Sequence, residues 1–227
     1  VPVPDTSLVA ASALGRAVYC PRQLYYARRD DDFSPPEAVR ERRDLAFRYP
    51  ELLTSDDATL RSLPLAVAPA EFRANLETVS RRPAWDELAH PERRDVLLSG
   101  KDCRGIAHKL VETAADAPTP VFVSGGVPPP EGVWEPQAVR AVALAKALAW
   151  EREREIPEAL VEYPAVGAVR TVRVTARRAG RYREALRTVR TLDGPPPRLG
   201  DDAKCDACDY REDCGVKSRS LRSLLGL

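Results

Sequence analysis

The stretch DVLLSGKDCRGIAHKLVETAADAPTPVFVS, residues 95–124, decides the fold. It holds three short apolar runs, Asp95–Ser99, Gly105–Thr113 and Thr119–Ser124, rich in Val, Leu, Ile and Phe. Gly100 and a Pro-bearing segment at 114–120 separate them, so the runs read as three successive strands. The period then changes. Glu135–Arg154 is Ala-rich, with Val139, Val142, Leu144, Ala145 and Leu148 at helical spacing, and reads as one long helix. Two further strands follow, Ala159–Tyr163 and Val169–Thr175. After them comes a basic helix whose core stripe is Tyr182, Ala185, Val189 and Leu192.

Upstream, the pattern is helical. Residues 1–32 read as helix, with Asp5 as N-cap and Pro21 opening a second helix, CPRQLYYARR. Residues 35–92 carry further helical segments punctuated by Pro50, Pro64, Pro69, Pro83 and Pro91. Downstream, GPPPRLG leads into a Cys-rich end. The expected architecture is therefore α/β: a mixed β-sheet core flanked by helices, with a helical N-terminal portion (1–92), the core (93–192) and a Cys-rich module with a C-terminal tail (193–227), all one structural unit.

Composition narrows the function classes. The 227 residues carry a net charge of only +1, so the overall balance does not advertise a nucleic-acid partner. The distribution says more. Residues 170–190 hold eight Arg and a single acid, Glu184. Arg173, Arg181, Arg183, Arg187 and Arg190 are the candidate contacts to DNA phosphates, because a guanidinium fork matches phosphate geometry. An Arg-rich, Lys-poor composition is also what a GC-rich genome produces. Aromatics make up 6% of the chain, which argues against an extensive base-stacking platform. No apolar run approaches the ~18 residues of a membrane span, and VPVPDTS lacks the charged start of a secretion signal. A cytoplasmic setting with no membrane partner is expected.

Five Cys in such a setting point to a metal or cluster site rather than a disulfide framework. Cys205, Cys208 and Cys214 stand in KCDACDYREDC, a polar, turn-rich stretch where CxxC sulfurs can face one centre. Neither His90 nor His108, the two histidines of the chain, lies near in sequence. Cys20, between two helices, is the better fourth ligand; Cys103 reads as a buried thiol. Zinc and an iron–sulfur cluster both accept four thiolates. A triplet at one end and a lone Cys at the other leans toward the cluster.

These residues carry a resemblance. The chain resembles the RecB-type branch of the PD-(D/E)XK nuclease superfamily, and within it the CRISPR-associated exonuclease family of spacer acquisition. The early Tyr19-Cys20-Pro21-Arg22 with Tyr25-Tyr26 and the closing C-x2-C-x5-C match that family, as does the β-β-β-α-β order between them. The resemblance implies a restriction-endonuclease-like core and a C-terminal iron–sulfur module. In it, Cys20, Cys205, Cys208 and Cys214 hold a [4Fe–4S] cluster that staples the two chain ends. It also implies DNA as partner, single-stranded or at ends, or a DNA-processing protein complex.

The catalytic motif is where the chain departs. The family's G-x-x-D falls on Gly105-Ile106-Ala107-His108, so His108 stands for the Asp. E-x-K falls on Ser124 and Gly126, and Q-x-x-x-Y on Gln137 and Ala141. Phosphodiester hydrolysis on this fold needs carboxylates to hold Mg²⁺ or Mn²⁺ and a Lys to orient water. Ser124 and Gly126 do neither, and Lys109 points to the sheet face opposite His108. The expectation is a catalytically inactive relative that binds DNA or serves as a subunit in DNA processing or CRISPR adaptation. The alternatives are an active metal-dependent exonuclease with a rearranged site, drawing on Glu112, Glu131, Glu135 or Glu162, and a zinc-stapled interaction module. Mg²⁺ or Mn²⁺ enters only with the first alternative.

Overall fold

The computed structural model describes residues 8–30, 34–112 and 118–215. Their elements run β1 (Val9–Ala10), α1 (Ala11–Tyr19), α2 (Pro21–Ala27), α3 (Glu37–Asp44), α4 (Tyr49–Thr54), α5 (Asp57–Arg61), α6 (Pro69–Ser80) and α7 (Trp85–Ala89). Then come β2 (Arg94–Ser99), β3 (Cys103–Glu112), β4 (Pro118–Val123), α8 (Glu135–Glu151), β5 (Glu158–Tyr163), β6 (Ala168–Arg173), α9 (Ala176–Thr191) and α10 (Asp202–Asp206). Short 3-10 turns cover Leu45–Phe47 and Pro164–Val166.

The six strands form one mixed sheet in the order β1-β3-β4-β5-β6, with β2 paired to β3. The meander β2-β3-β4 is antiparallel, as its short turn-bounded connections allow. β5 lies parallel to β4, with Val121 opposite Leu160 and Val123 opposite Glu162. A parallel pair needs a long crossover, and α8 supplies it. β4 is central and buried on both faces, which is why PVFV is continuously apolar rather than alternating.

Helices cover both faces, giving three layers. On one side α1, α8 and α9 pack through Leu14, Val142, Leu148, Tyr182 and Val189 against Ala107, Phe122, Val161 and Val172. α8 buries nine residues, most of them Ala, and small side chains allow close approach to both the sheet and α1. On the other side Leu45, Tyr49, Leu52, Phe72, Leu76 and Leu88 cover Val111, Val121, Val123 and Leu160. Leu45, Leu52, Leu76 and Leu88 are each at most 1% exposed, so each contributes about 1.5–3 kcal/mol by leaving water.

Three features differ from the reading of the sequence. The helical N-terminal portion splits across the sheet: α1 and α2 join the α8 side, and the helices from Tyr49 to Ala89 cover the other. The first helix begins only at Ala11, because Val9 and Ala10 pair in parallel with Cys103 and Arg104. Val9 donates its N–H to the Asp102 carbonyl at 3.0 Å. That partner is supplied by tertiary contact, so local periodicity cannot announce it; Asp5, read as the N-cap, lies outside the described residues. α10 is a single turn N-capped by Asp201, which accepts from the Lys204 N–H at 3.2 Å. No helix among the described residues is long and apolar enough to cross a membrane.

Candidate functional site

Cys20 occupies the joint between α1 and α2, closing the first helix and capping the second in an extended conformation. Pro21 forces that break, because it fits the first turn of α2 but cannot continue α1. The side chain of Cys20 is thereby freed from either helix face. At the other chain end, α10 presents Cys205. A run of tight turns follows, with the Cys208 N–H bonded to the Cys205 carbonyl at 3.2 Å and the Cys214 N–H to the Tyr210 carbonyl at 2.9 Å.

Cys20, Cys205, Cys208 and Cys214 all line one small cavity, with Tyr26 and Tyr210 beside them. Burial raises the Cys205 thiol pKa first, and the charges of Cys20, Cys214 and Cys208 raise it further. Arg22 Nε donates to Cys214 Sγ at 3.1 Å, and Gln23 Nε2 to Cys208 Sγ at 3.7 Å. Such N–H donors favour the thiolate, the form that ligates a metal. The ends are also tied without any metal. Tyr19 donates to the Lys204 carbonyl at 3.0 Å, Arg22 to the Pro196 carbonyl at 2.8 Å, and Tyr210 to Asp30 at 2.9 Å. The donor set suits a group taking four thiolates. Among the described residues, however, no three or more His, Cys, Asp or Glu side chains form a group that could hold a metal ion. Cys103 is elsewhere, buried in the core beneath α8 with its Sγ 3.4 Å from the Ala143 carbonyl.

Of the positions matched to the catalytic motif, Ser124, Gly126 and Gln137 meet where β4 ends and α8 starts, and His108 lies beside them in the middle of β3. Val123 donates its N–H to His108 Nδ1 at 2.9 Å. Ser124 Oγ accepts from Gln137 Nε2 at 2.8 Å and from the Gly126 N–H at 3.2 Å. Tyr163 donates to Gln137 Oε1, and Ala141 is fully buried on α8. The result is two separate sets of neutral hydrogen bonds, one from Tyr163 through Gln137 and Ser124 to Gly126, the other between Val123 and His108.

Acids are absent from both. Glu162 is fully buried on the opposite face, its carboxylate 3.0 Å from Lys109 Nζ. Glu135 lies 3.6 Å from Arg181, Asp102 pairs with Arg190 at 3.0 Å, and the side chain of Glu112 lies outside the described residues. His90 is exposed at the end of α7. The charges that act on His108 are instead Arg43, Arg140 and Lys109. Burial first, then those three cations, hold its pKa down at about 3. The ring is therefore neutral at physiological pH and offers one soft nitrogen already bonded to the main chain.

A pH test follows. An unfolded His titrates near 6.5, and the folded site refuses the proton until about pH 3. The stability this contributes is complete above the unfolded pKa and is lost as pH falls below it. The slope is about 1.4 kcal/mol per pH unit. Urea melts of wild type and His108→Gln at pH 7.5 and 5.5 should show a gap that closes at the lower pH. An unchanged gap would contradict the shift.

The basic helix is partly self-neutralised. Arg181 pairs with Glu184 at 2.8 Å, and Arg190 with Asp102. Arg173, Arg183 and Arg187 are exposed, and among the described residues no acid pairs with them. Arg183 and Arg187 stand one turn apart on the same outer face of α9.

No protein-family model and no curated protein matches the chain.

Proposed function

We propose that the chain is an iron–sulfur-clasped, catalytically inactive relative of RecB-like DNA exonucleases that binds DNA, as a subunit of DNA processing or CRISPR adaptation. The observation that carries this is the gathering of Cys20, from between α1 and α2, with Cys205, Cys208 and Cys214 around one cavity. In this reading the four thiolates hold a [4Fe–4S] cluster, whose iron–thiolate bonds would join the chain ends. Three further facts support the reading. The meander β2-β3-β4 joined through α8 to parallel β5 is the order the nuclease core requires. The matched motif positions lie side by side. The cations around His108 would repel a divalent ion, so they favour loss of hydrolysis over a rearranged active site.

DNA phosphates would meet the exposed Arg173, Arg183 and Arg187 on a sequence-independent basis. The expected setting is cytoplasmic.

The test is direct. Protein purified without oxygen should be brown, absorb near 400 nm and contain iron and sulfide. A colourless protein with one zinc would replace the cluster by a zinc staple. The same preparation with Mn²⁺ should leave labelled single-stranded DNA uncut while retarding its mobility. Cleavage abolished by His108→Ala would sink the inactive reading.

A further inference from the structure

Arg43, Arg140 and His108 converge on the end of the sheet where the nuclease motif falls. Arg140, on α8, passes so close to α1 that a Cβ on Gly15 would meet its Cγ and Cδ at 2.9 Å. Gly15 is therefore the residue that lets this side chain through. Its guanidinium lies 4.0 Å from the Phe122 ring centroid, and the His108 ring is 5.5 Å from the same ring. α3 closes from the other side. Val39 packs on Gly125 so tightly that a Cβ there would meet Val39 Cγ1 at 2.8 Å. Arg43 follows Val39 by one turn, on the face of α3 turned to this sheet end.

The cluster has donors without acceptors. The Nε atoms of both Arg43 and Arg140 are buried and have no hydrogen-bond partner among the described residues. With Nδ1 of His108 accepting from Val123, the neutral ring carries its proton on Nε2, a further donor. Among the described residues, no carboxylate is a cause of the shift at either Arg. Burial, then Arg43 and Arg16, lower the Arg140 pKa to about 9, and burial lowers that of Arg43. A folded chain that buries like charges side by side has given up stability to do so. A bound oxyanion would satisfy the free N–H groups and cancel the repulsion together.

We infer that Arg43, Arg140 and His108 form a phosphate-binding site in which guanidinium forks, rather than a metal ion, hold the anion. Phosphate is favoured because several converging N–H donors suit a tetrahedral group with several acceptor oxygens, and Arg forks match it bidentately. The group could reach the site as part of a DNA strand or as free phosphate. The first source rests on the DNA-binding reading above; the site itself does not.

The experiment uses the full chain with its cluster intact. Thermal melting is measured in inorganic phosphate and in chloride of equal ionic strength, and binding of a fluorescent 20-nucleotide single strand by anisotropy. The variants are Arg43→Gln, Arg140→Gln and a control double variant, Arg183→Gln with Arg187→Gln. Wild type should melt higher in phosphate than in chloride. Arg43→Gln, on a half-exposed helix, should fold, melt in chloride at or above wild type, and lose the phosphate response. A merely structural Arg would instead lower melting in both salts. If the source is a strand, Arg43→Gln should weaken its binding about tenfold and reduce the salt slope by about 0.7 for the lost contact. The control variant should also weaken strand binding yet keep the phosphate response. A phosphate response with no strand binding would support the site with free phosphate as ligand and sink the DNA-binding reading. Strand binding lost in the control but unchanged in Arg43→Gln and Arg140→Gln, with no phosphate response in wild type, would overturn the site and leave that reading standing.

Discussion

Lys109→Met should cost about 3–5 kcal/mol, the loss typical of breaking one partner of a buried ion pair. Lys109 and Glu162 are both 0% exposed, with Nζ and Oε2 3.0 Å apart. Nζ spends its other two N–H bonds on the Ala46 carbonyl at 2.7 Å and the Leu88 carbonyl at 2.6 Å. Tyr49 donates to the same Glu162 oxygen at 2.9 Å. The ammonium therefore pins the 3-10 turn at 45–47 and the end of α7 onto the sheet. Removing it strands a carboxylate and two carbonyls in an apolar core. Burial already raises the Glu162 pKa and lowers that of Lys109, so neither charge is comfortable alone. A domain of this kind holds about 5–15 kcal/mol in all, and the variant should unfold in markedly less urea. Lys109→Met combined with Glu162→Leu should recover much of the loss, since an apolar pair leaves no buried charge. A single variant within 1 kcal/mol of wild type would show that the pair does not organise this face.

Cys20→Ala is the second large effect, and it depends on the proposed cluster. Cys20 and Cys205 are 185 residues apart, so a link between them closes nearly the whole chain. By analogy with a disulfide, such a loop removes about 5 kcal/mol of unfolded-state entropy. The variant should bleach the absorbance near 400 nm and lower the melting temperature. The C-terminal segment should become sensitive to protease first. Its other ties among the described residues include hydrogen bonds of Tyr19, Arg22, Gln23 and Tyr210, each worth about 0.5–1.5 kcal/mol. Cys103→Ala should leave the spectrum intact, because that thiol is buried beneath α8 and does not line the four-Cys cavity. A Cys20→Ala protein with unchanged spectrum and melting temperature would remove Cys20 from the ligand set.

These two effects differ in how far the sequence announces them. C-x2-C-x5-C is local, and Cys20 is singled out by the break that Pro21 imposes. The opposite facing of His108 and Lys109 is equally local, since neighbours on a strand must alternate. The partner of Lys109 is not. Glu162 is a plausible catalytic acid in sequence and becomes a buried counter-ion only through the register that sets Val123 opposite Glu162 on parallel β5. The surface patch behaves likewise. Arg190 reads as a free cation until Asp102 comes alongside, and Arg181 gains Glu135 beside its helix neighbour Glu184.

What the sequence by itself determined is the run of elements from β2 to α9 and the layered α/β class. It also set Cys205, Cys208 and Cys214 within ten residues of one another. Each is written in periodicity, turn chemistry or residue type over a few neighbours. Only the tertiary structure decided that α1 and α2 join α8 while α4–α7 cover the other face. It alone drew the four thiols to one cavity and brought Arg43 and Arg140 alongside His108. Those outcomes depend on which distant surfaces bury each other, and a pairing of segments a hundred residues apart leaves no periodic trace in either one.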